Sequence, residues 1–472
     1  MKSTRRNFIK TTGAACTGIV AGGITSCSGT GTEIPGKKHT QHFNMSGYAA
    51  PKLDKVRVGY IGVGGRGLGS VSRMRLIEGV EIKALCDILP DRVEMGQKAL
   101  KDVGMPAARA YAGSEVIWRE MCQDPDLDLI YIATPRNLHA EMCVFSMENG
   151  KHAVTEVPAV QSVDDAWKIV EISERSRKHC MMLENCTYDF FELLVLNMAR
   201  QGFFGEIIHA DAGYIHDQRD INVGKDKPWR LDTFINRDGN IYPTHGLGPV
   251  CQLMNINRGD RLDFLTSMSC NDFTMGQKIA DLAEKDEYYR KYVNKWKLGN
   301  VNTSVIRTIK GKTIMLQYNI SNPRPYSRIQ TIVGTKGVSQ KYPEPPRIAV
   351  EHAWLSDEEM NKLVEQYTPR IVSLVGEMAK KVGGHGGMDF LMDWHLIDCL
   401  RNGIPLDMDV YDAAAWSSIV PLSEWSVANG SQPIQVPDFT CGSFVNNTPV
   451  DITLSRGGNT GVRLIAESEP AS

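Results

Sequence analysis

From Lys55 onward the chain alternates two hydrophobic patterns. Short apolar runs at Val56 to Val63, Glu81 to Cys86, Leu127 to Ala133, His152 to Glu156 and Met181 to Glu184 read as buried strands. Between them, the segments from Gly67, Arg92 to Leu100, His139 to Asn149 and Val163 to Ser176 repeat apolar positions at helical spacing. Strand and helix alternating in this way predict a parallel sheet with helices on both faces. After about Thr187 the pattern changes. A helix is expected from Phe191 to Arg200. Ile207 to His216, Thr303 to Ile309, Thr313 to Ile320 and Ile329 to Val333 then read as strands without intervening helices. Met388 to Arg401 and Val410 to Val427 read as helices again. The expected architecture is an N-terminal α/β domain over 55–187, a C-terminal α+β domain over 188–440 built on a largely antiparallel open sheet, and a tail over 441–472.

Residues 1–27 read as two export addresses in succession. Ser3-Thr4-Arg5-Arg6-Asn7-Phe8-Ile9-Lys10 has the twin-arginine pattern, and a weakly hydrophobic stretch follows from Thr11 to Gly23. Ile24-Thr25-Ser26-Cys27 then has the form of a lipobox, with Cys27 as the lipid-bearing residue. The apolar run is too short to span a bilayer. Attachment to a membrane is therefore expected only through the lipid, in a periplasmic or membrane-anchored protein. Residues 28–54, rich in Gly, Ser, Thr and Lys, read as a linker.

Composition narrows the partners. Fifty-three basic and 55 acidic side chains give a formal charge of −2, which offers nucleic acid no electrostatic footprint and suits a small-molecule or glycan substrate. Without Cys16 and Cys27, nine of the 11 cysteines remain, and their spacing suggests neither a disulfide framework nor a CxxC metal site. No HExxH is present either, so no metal is expected.

Gly62-Val63-Gly64-Gly65-Arg66-Gly67 follows a buried strand and opens a helix, the context in which a glycine-rich turn receives a pyrophosphate at a helix N-terminus. The next strand ends at Asp87, about 20 residues on, where a carboxylate accepts from the ribose hydroxyls of NAD. A Rossmann domain holding NAD is the expectation. Arg66 leaves a 2′-phosphate, and so NADP, open.

Thr134-Pro135-Arg136-Asn137-Leu138-His139 after one strand and Glu156-Val157-Pro158 after the next resemble the Gfo/Idh/MocA oxidoreductase superfamily. There the second motif is usually Glu-Lys-Pro, with the lysine active in proton transfer; here Val157 replaces it. One branch accommodates that change, the NAD-dependent glycosidases of glycoside hydrolase family 109, best known as α-N-acetylgalactosaminidases. The chain is similar to them from about Lys55 to Phe439. The resemblance is strongest at Tyr242-Pro243-Thr244-His245-Gly246-Leu247-Gly248-Pro249, at Asn255 to Arg261, at Pro323 to Tyr326, at Gly383 to Asp389 and at Pro437 to Thr440. It implies that Gly65, Arg66, Asp87, Arg136, Asn137, Leu138, His139, Glu156, Val157 and Asn185 contact NAD. It also implies that Tyr214, Arg230, Tyr242, Pro243, Thr244, His245 and Tyr326 line the sugar site. The aromatics that members often carry at the positions of Arg136 and Leu138 are missing here.

Most glycosidases need two carboxyl groups flanking the bond, and the sequence singles out no such pair. Oxidation at sugar carbon 3 offers another route. The ketone acidifies the carbon-2 proton, the carbon-1 substituent leaves by elimination, water adds, and the ketone is reduced again. Such a cycle needs positioned bases, and Tyr and His qualify where the environment brings their pKa values toward neutrality. His245 and Tyr242 are the expected proton-transfer pair, with Tyr188, Tyr326 and His385 as secondary candidates. Gly383 to Gly387 reads as a loop presenting His385, or as a purely structural turn. Tyr326 reads as a stacking platform or a strand-edge aromatic. Arg230 with Trp229 reads as a clamp on hydroxyl or acetamido groups, or as an exposed Arg beside a core Trp. Two competing functions share the fold: a net NAD(P)-dependent sugar oxidoreductase and a non-catalytic sugar-binding lipoprotein. Val157 and the lack of free NAD outside the cytoplasm weigh against the first, and the intact Tyr242 and His245 against the second. An exposed sheet face in the second domain would favour a homodimer.

Overall fold

The computed structural model describes residues 39–463; the twin-arginine pattern, the lipobox, Cys27 and the first part of the linker lie outside them. The first half alternates strands β1 (Val56–Ile61), β2 (Val80–Asp87), β3 (Arg109–Ala112), β4 (Leu129–Ile132), β5 (His152–Thr155) and β6 (Cys180–Met182) with helices. Those helices are α1 (Gly65–Met74), α2 (Pro90–Lys101), α3 (Ile117–Gln123), α4 (His139–Glu148) and α5 (Val163–Ser176). All six strands are parallel, in the order β3-β2-β1-β4-β5-β6, a doubly wound sheet whose order reverses beside β1. Ligands bind such sheets at the carboxyl ends of the strands, at that reversal. The hydrophobic pattern misses β3 because it is an edge strand with little buried surface.

The second half contains α6 (Phe190–Arg200), β7 (Ile207–Ile215), α7 (Arg219–Asn222), α8 (Pro228–Phe234), α9 (Thr244–Leu253), β8 (Leu262–Ser269), α10 (Met275–Lys285), β9 (Asn302–Thr308) and β10 (Thr313–Asn319). It continues through β11 (Thr331–Gly334), β12 (Gly337–Gln340), β13 (Arg347–Val350), β14 (Ala353–Trp354), α11 (Asp357–Tyr367), α12 (Arg370–Val382), α13 (Met388–Asn402), α14 (Val410–Ala428) and β15 (Ile434–Gln435). Its nine strands form one sheet in the order β14-β13-β12-β11-β7-β10-β9-β8-β15, antiparallel except that β10 runs parallel to β7. Along β9, Asn302, Ser304, Ile306 and Thr308 are buried while Val305 and Arg307 point outward, the two-residue period of a sheet covered on one face. The expectation of strands without intervening helices is corrected here: α9 and α10 both lie between them. Gly246, Gly248 and Pro249 had concealed α9, since these residues are poor helix formers. The strand expected from Ile329 begins at Thr331, because Ile329 and Gln330 have positive φ.

Both ends of the described chain are packed, which corrects the linker and the tail. In the linker, Met45 and Ala50 are buried. Glu174, on α5, accepts from the His42 amide at 2.8 Å and from Tyr411 at 2.9 Å, and it pairs with His39 at 3.1 Å. In the tail, Ile452 and Leu454 are buried, Val462 bridges to Ile77, and Trp394 donates to the Thr460 carbonyl at 3.0 Å. A capped, buried α14 and an almost wholly buried α13 complete the core, with Trp394 and Trp416 among its largest side chains.

Candidate active site

The glycine turn after β1 is held by tight packing. A Cβ on Gly67 would meet the Gly62 carbonyl oxygen at 1.9 Å, and one on Gly62, where φ is +89°, would meet that of Ala133 at 2.6 Å. These two glycines let α1 cross its strand closely. Gly64 caps α1 without a side-chain hydrogen bond, and a Cβ on Gly65 would touch nothing within 4 Å. The first turn of α1 therefore keeps backbone N–H groups with open space above them, as a bound pyrophosphate requires. Asp87, at the end of β2, accepts from the Val63 amide at 2.9 Å and the Leu89 amide at 3.0 Å. It braces the turn, and each oxygen retains acceptor capacity for a ribose hydroxyl.

Arg66 is committed elsewhere. Its guanidinium lies 2.7 Å from Glu156 and 2.7 Å from Asp389, so two carboxylates already match its charge. The opening left for a 2′-phosphate is corrected: a second anion would have to displace one of them. Asn185 donates to Asp389 at 2.6 Å, and His385 Nδ1 lies 2.9 Å from the same carboxylate. Burial opposes ionisation of Asp389, but the His385 hydrogen bond and the Arg66 and Arg73 charges hold its carboxyl far below the usual range. The glycine-rich loop of 383–387 thus carries His385 to the cofactor side, with four of its glycines at positive φ. His385, a secondary catalytic candidate in the sequence, stands beside Arg66 and Asp389 and faces His216 electrostatically, with its side chain largely exposed.

The run 136–139 divides. Arg136 is buried, its guanidinium 5.3 Å from the ring centres of both Trp229 and Tyr242, and it donates to the Ile241 carbonyl at 3.2 Å. Leu138 packs against the core. His139 is wholly buried, each ring nitrogen 2.9 Å from a carbonyl oxygen, of Pro158 and of Thr134. It fastens one loop to the next and is corrected to a structural role. Asn137 is exposed and borders a surface groove with Arg119, Glu141 and Lys168. Val157 is buried and offers no proton.

His245 stands in the first turn of α9, where the backbones of α9 and β7 nearly touch. A Cβ on Gly246 would meet the Gly213 nitrogen at 2.6 Å. That approach sets the His245 ring beside Tyr214 and Tyr242, with centres 5.2 and 4.9 Å apart. One turn on, Gly248 leaves a notch that Glu184 fills; a Cβ there would meet Glu184 Cγ at 2.7 Å. His245 Nδ1 and Glu184 Oε1 are 2.7 Å apart, and the same oxygen accepts from the Cys186 amide at 3.1 Å. Burial opposes a charge on Glu184, yet the His245 pairing and the amide hold its carboxyl below the ordinary value. Nδ1 therefore carries a proton toward Glu184, and Nε2 is left as the free base. Glu184 was missed in the sequence, where it reads only as the end of a strand.

The tyrosines behave differently from expectation. Burial raises the Tyr242 phenol well above its ordinary value, with Tyr214 beside it adding to the effect, and pushes Tyr214 up to about 12. Burial likewise raises Tyr326, whose hydroxyl accepts from Arg328 at 2.8 Å. These groups are neutral donors at pH 7, and the notion of tyrosine bases tuned toward neutrality is corrected. Tyr188 lies in the core, donating to Asp407 at 2.7 Å with His395 at 2.9 Å, and is a structural residue. Pro243 and Thr244 are buried at the start of α9 and position His245 rather than line the site. Gln218 donates to Tyr214 at 3.0 Å and to His216 Nδ1 at 3.0 Å. Arg230 reaches Gln218 and Asn222 at 3.3 and 3.2 Å, while its buried Nε has no partner. His216, whose ring is 5.4 Å from Tyr326, completes the wall and was also missed.

The chain matches two family models: "Glycosyl hydrolase 109, C-terminal domain" over residues 188–446 and "Oxidoreductase family, NAD-binding Rossmann fold" over 56–184. A glycosyl hydrolase family 109 protein of Porphyromonas gingivalis is 46% identical over 425 residues, 87% of this chain and 88% of that one. An alpha-N-acetylgalactosaminidase of Bacteroides fragilis is 46% identical over 412 residues, 85% of this chain and 96% of that one. Among solved structures, levoglucosan dehydrogenase in complex with NADH and levoglucosan shares the fold, with a TM-score of 0.60 at 16% identity over 81% of this chain and 100% of that one.

Proposed function

Because the chain belongs to glycosyl hydrolase family 109, we propose that this NAD-dependent glycoside hydrolase cleaves α-N-acetylgalactosaminides or a closely related glycoside, with His245 as its principal proton-transfer residue. The observation that carries the assignment to His245 is its 2.7 Å pairing with buried Glu184 between Tyr214 and Tyr242.

Gly64, Gly65 and Asp87 would hold the pyrophosphate and ribose of NAD, and Asn185 the nicotinamide side. Bound NAD supplies a reversible oxidation of the sugar, so that the ring C–H next to the oxidised carbon becomes acidic. The chain's own groups do the rest. Nε2 of His245 accepts a proton from the sugar, and Glu184 stabilises the imidazolium that results. Tyr214 and Tyr242, held neutral by burial, donate hydrogen bonds to sugar oxygens. Arg136, packed against Tyr242, fixes that ring's orientation. Proton return from His245 completes the cycle, and the net change is hydrolysis.

Turnover in deuterated water tests this reading. Removal of the carbon-2 proton in each cycle should place deuterium at carbon 2 of the released sugar, and aryl glycosides should show little sensitivity to leaving-group acidity. A product without deuterium and a rate that tracks the leaving group would point to direct displacement by carboxylates instead. Cofactor retention is a separate expectation. The protein should purify with NAD, and Asp87→Ala should lower occupancy, since hydrogen bonds to a charged group contribute about 1.5–3 kcal/mol each. Nucleotide released on denaturation measures this, and full occupancy in the variant would remove Asp87 from the site.

The outer face of the nine-stranded sheet supports a further proposal, a homodimer formed by packing two such faces. Phe264, Met268, Val305 and Met315 point to that side among polar neighbours, with Met268 66% and Val305 45% exposed. Val305→Asp should yield monomers in sedimentation velocity; a monomeric parent protein would dismiss the interface. Export by the twin-arginine route with lipid at Cys27 is likewise proposed, supported by Arg5, Arg6 and the Ile24 to Cys27 lipobox. Loss of membrane-fraction protein on Cys27→Ser is the expected result.

A further inference from the structure

The His245–Glu184 pair has a third neighbour whose chemistry the reaction does not use. Cys186 is two residues from Glu184 on the same short turn, is buried, and donates its amide to the Glu184 carboxylate at 3.1 Å. One ligating atom each of Glu184, Cys186 and His245 lies within 4.8 Å of the others. The Glu184 carboxylate also takes a hydrogen bond from the Thr244 hydroxyl beside His245, so donors from His245, Cys186 and Thr244 all face it. Such a cluster brings an oxygen, a sulfur and a nitrogen donor side by side in an otherwise sealed spot.

We propose that Glu184, Cys186 and His245 form an inhibitory site for a thiophilic divalent cation, Zn²⁺ foremost, and that the bound ion arrests the enzyme by taking the imidazole from its proton-transfer task. The arrest rests on the function proposed above; the site itself does not. Mixed N/S/O donors suit Zn²⁺, whereas Ca²⁺ and Mg²⁺ demand oxygen shells. Tetrahedral zinc places its ligands roughly 3.5 Å apart, so the three groups need only a small closure. Three protein ligands leave a fourth position for water. His245, whose side chain is 12% exposed, gives the ion a path from the cleft. Entry of Zn²⁺ takes the lone pair of Nδ1 and shifts that ring proton to Nε2, which can then no longer accept one; the sulfur's proton is released to solvent, and the carboxylate and thiolate neutralise the ion.

The test uses the full chain with its cofactor, in a background with Cys16, Cys27 and the exposed Cys270 and Cys441 replaced by serine. Equilibrium dialysis against zinc chloride should show one zinc per chain, activity should fall in step with occupancy, and EDTA should restore it. Cys186→Ser and Cys186→Ala should each weaken zinc binding by roughly 100-fold. Cobalt binding to the background protein should add a thiolate-to-cobalt charge-transfer band, a readout that needs no variant at residue 186. Absence of bound zinc, unchanged affinity in both Cys186 variants, or cobalt binding without that band would overturn the site. Zinc bound at Cys186 with undiminished turnover would overturn the arrest. A protein that binds zinc there but hydrolyses no glycoside would refute the proposed function and leave the site standing.

Discussion

His245→Ala is expected to lower turnover by roughly 10²–10⁴-fold, the usual contribution of a positioned acid or base, while the nucleotide stays in place. Two independent features make the loss specific. His245 is held in the first turn of α9 by the contact of Gly246 with Gly213, which the variant keeps, so helix and sheet remain in register. The neighbouring phenols cannot substitute, because burial keeps Tyr214 and Tyr242 protonated at pH 7. Cofactor content of the variant, measured on the denatured protein, should equal that of the parent. Near-normal turnover with full occupancy would transfer the proton chemistry to another residue.

Glu184→Gln should lower kcat by on the order of 10²-fold with little change in KM, a smaller relative of the loss seen when the acid of a catalytic triad becomes an amide. The amide oxygen can take the place of Oε1, accepting from His245 Nδ1 and from the Cys186 amide, so ring orientation survives and only the charge is lost. With the carboxylate gone, the imidazolium formed during turnover loses the negative charge that stabilises it. Glu184→Ala removes the orienting bond as well and should be worse still. If the Glu184→Gln variant reproduced the parent's kcat, Glu184 would be no more than a filler of the Gly248 notch.

The parallel sheet, the glycine turn and the Tyr242–His245 segment were legible because each rests on local sequence: apolar runs, a strand-turn-helix context, and a family motif. Glu184 was not, since it meets His245 only when β6 and α9 come together across 61 residues. A trace of it does exist in His245-Gly246-Leu247-Gly248, where a glycine one turn after the histidine leaves room for a buried side chain beneath the helix. The roles expected of Tyr188 and His139 failed for a different reason. A buried tyrosine or histidine with good partners looks in sequence like one at a cleft, and only packing tells them apart. The linker was misread because its composition is polar, while the contacts of His39, His42 and Met45 with the body of the protein are long-range.

The cofactor half is also less separable than its chain boundaries suggest. Asp389 and Asp393, from α13 near the other end of the sequence, pair with Arg66 at 2.7 Å and Arg73 at 2.9 Å on α1. Segments from both ends of the described chain cover its helices, through Glu174 on one side and the Ile77–Val462 bridge on the other. Residues 55–187 expressed alone would lose these ion pairs and the segments that cover their helices, and are expected to be less stable than within the full chain. Thermal unfolding is then expected to be one cooperative event in which nucleotide release and loss of both sheets share a midpoint, so that a ligand tightening the glycine turn should stabilise the far sheet as well; two separate transitions in calorimetry would contradict it.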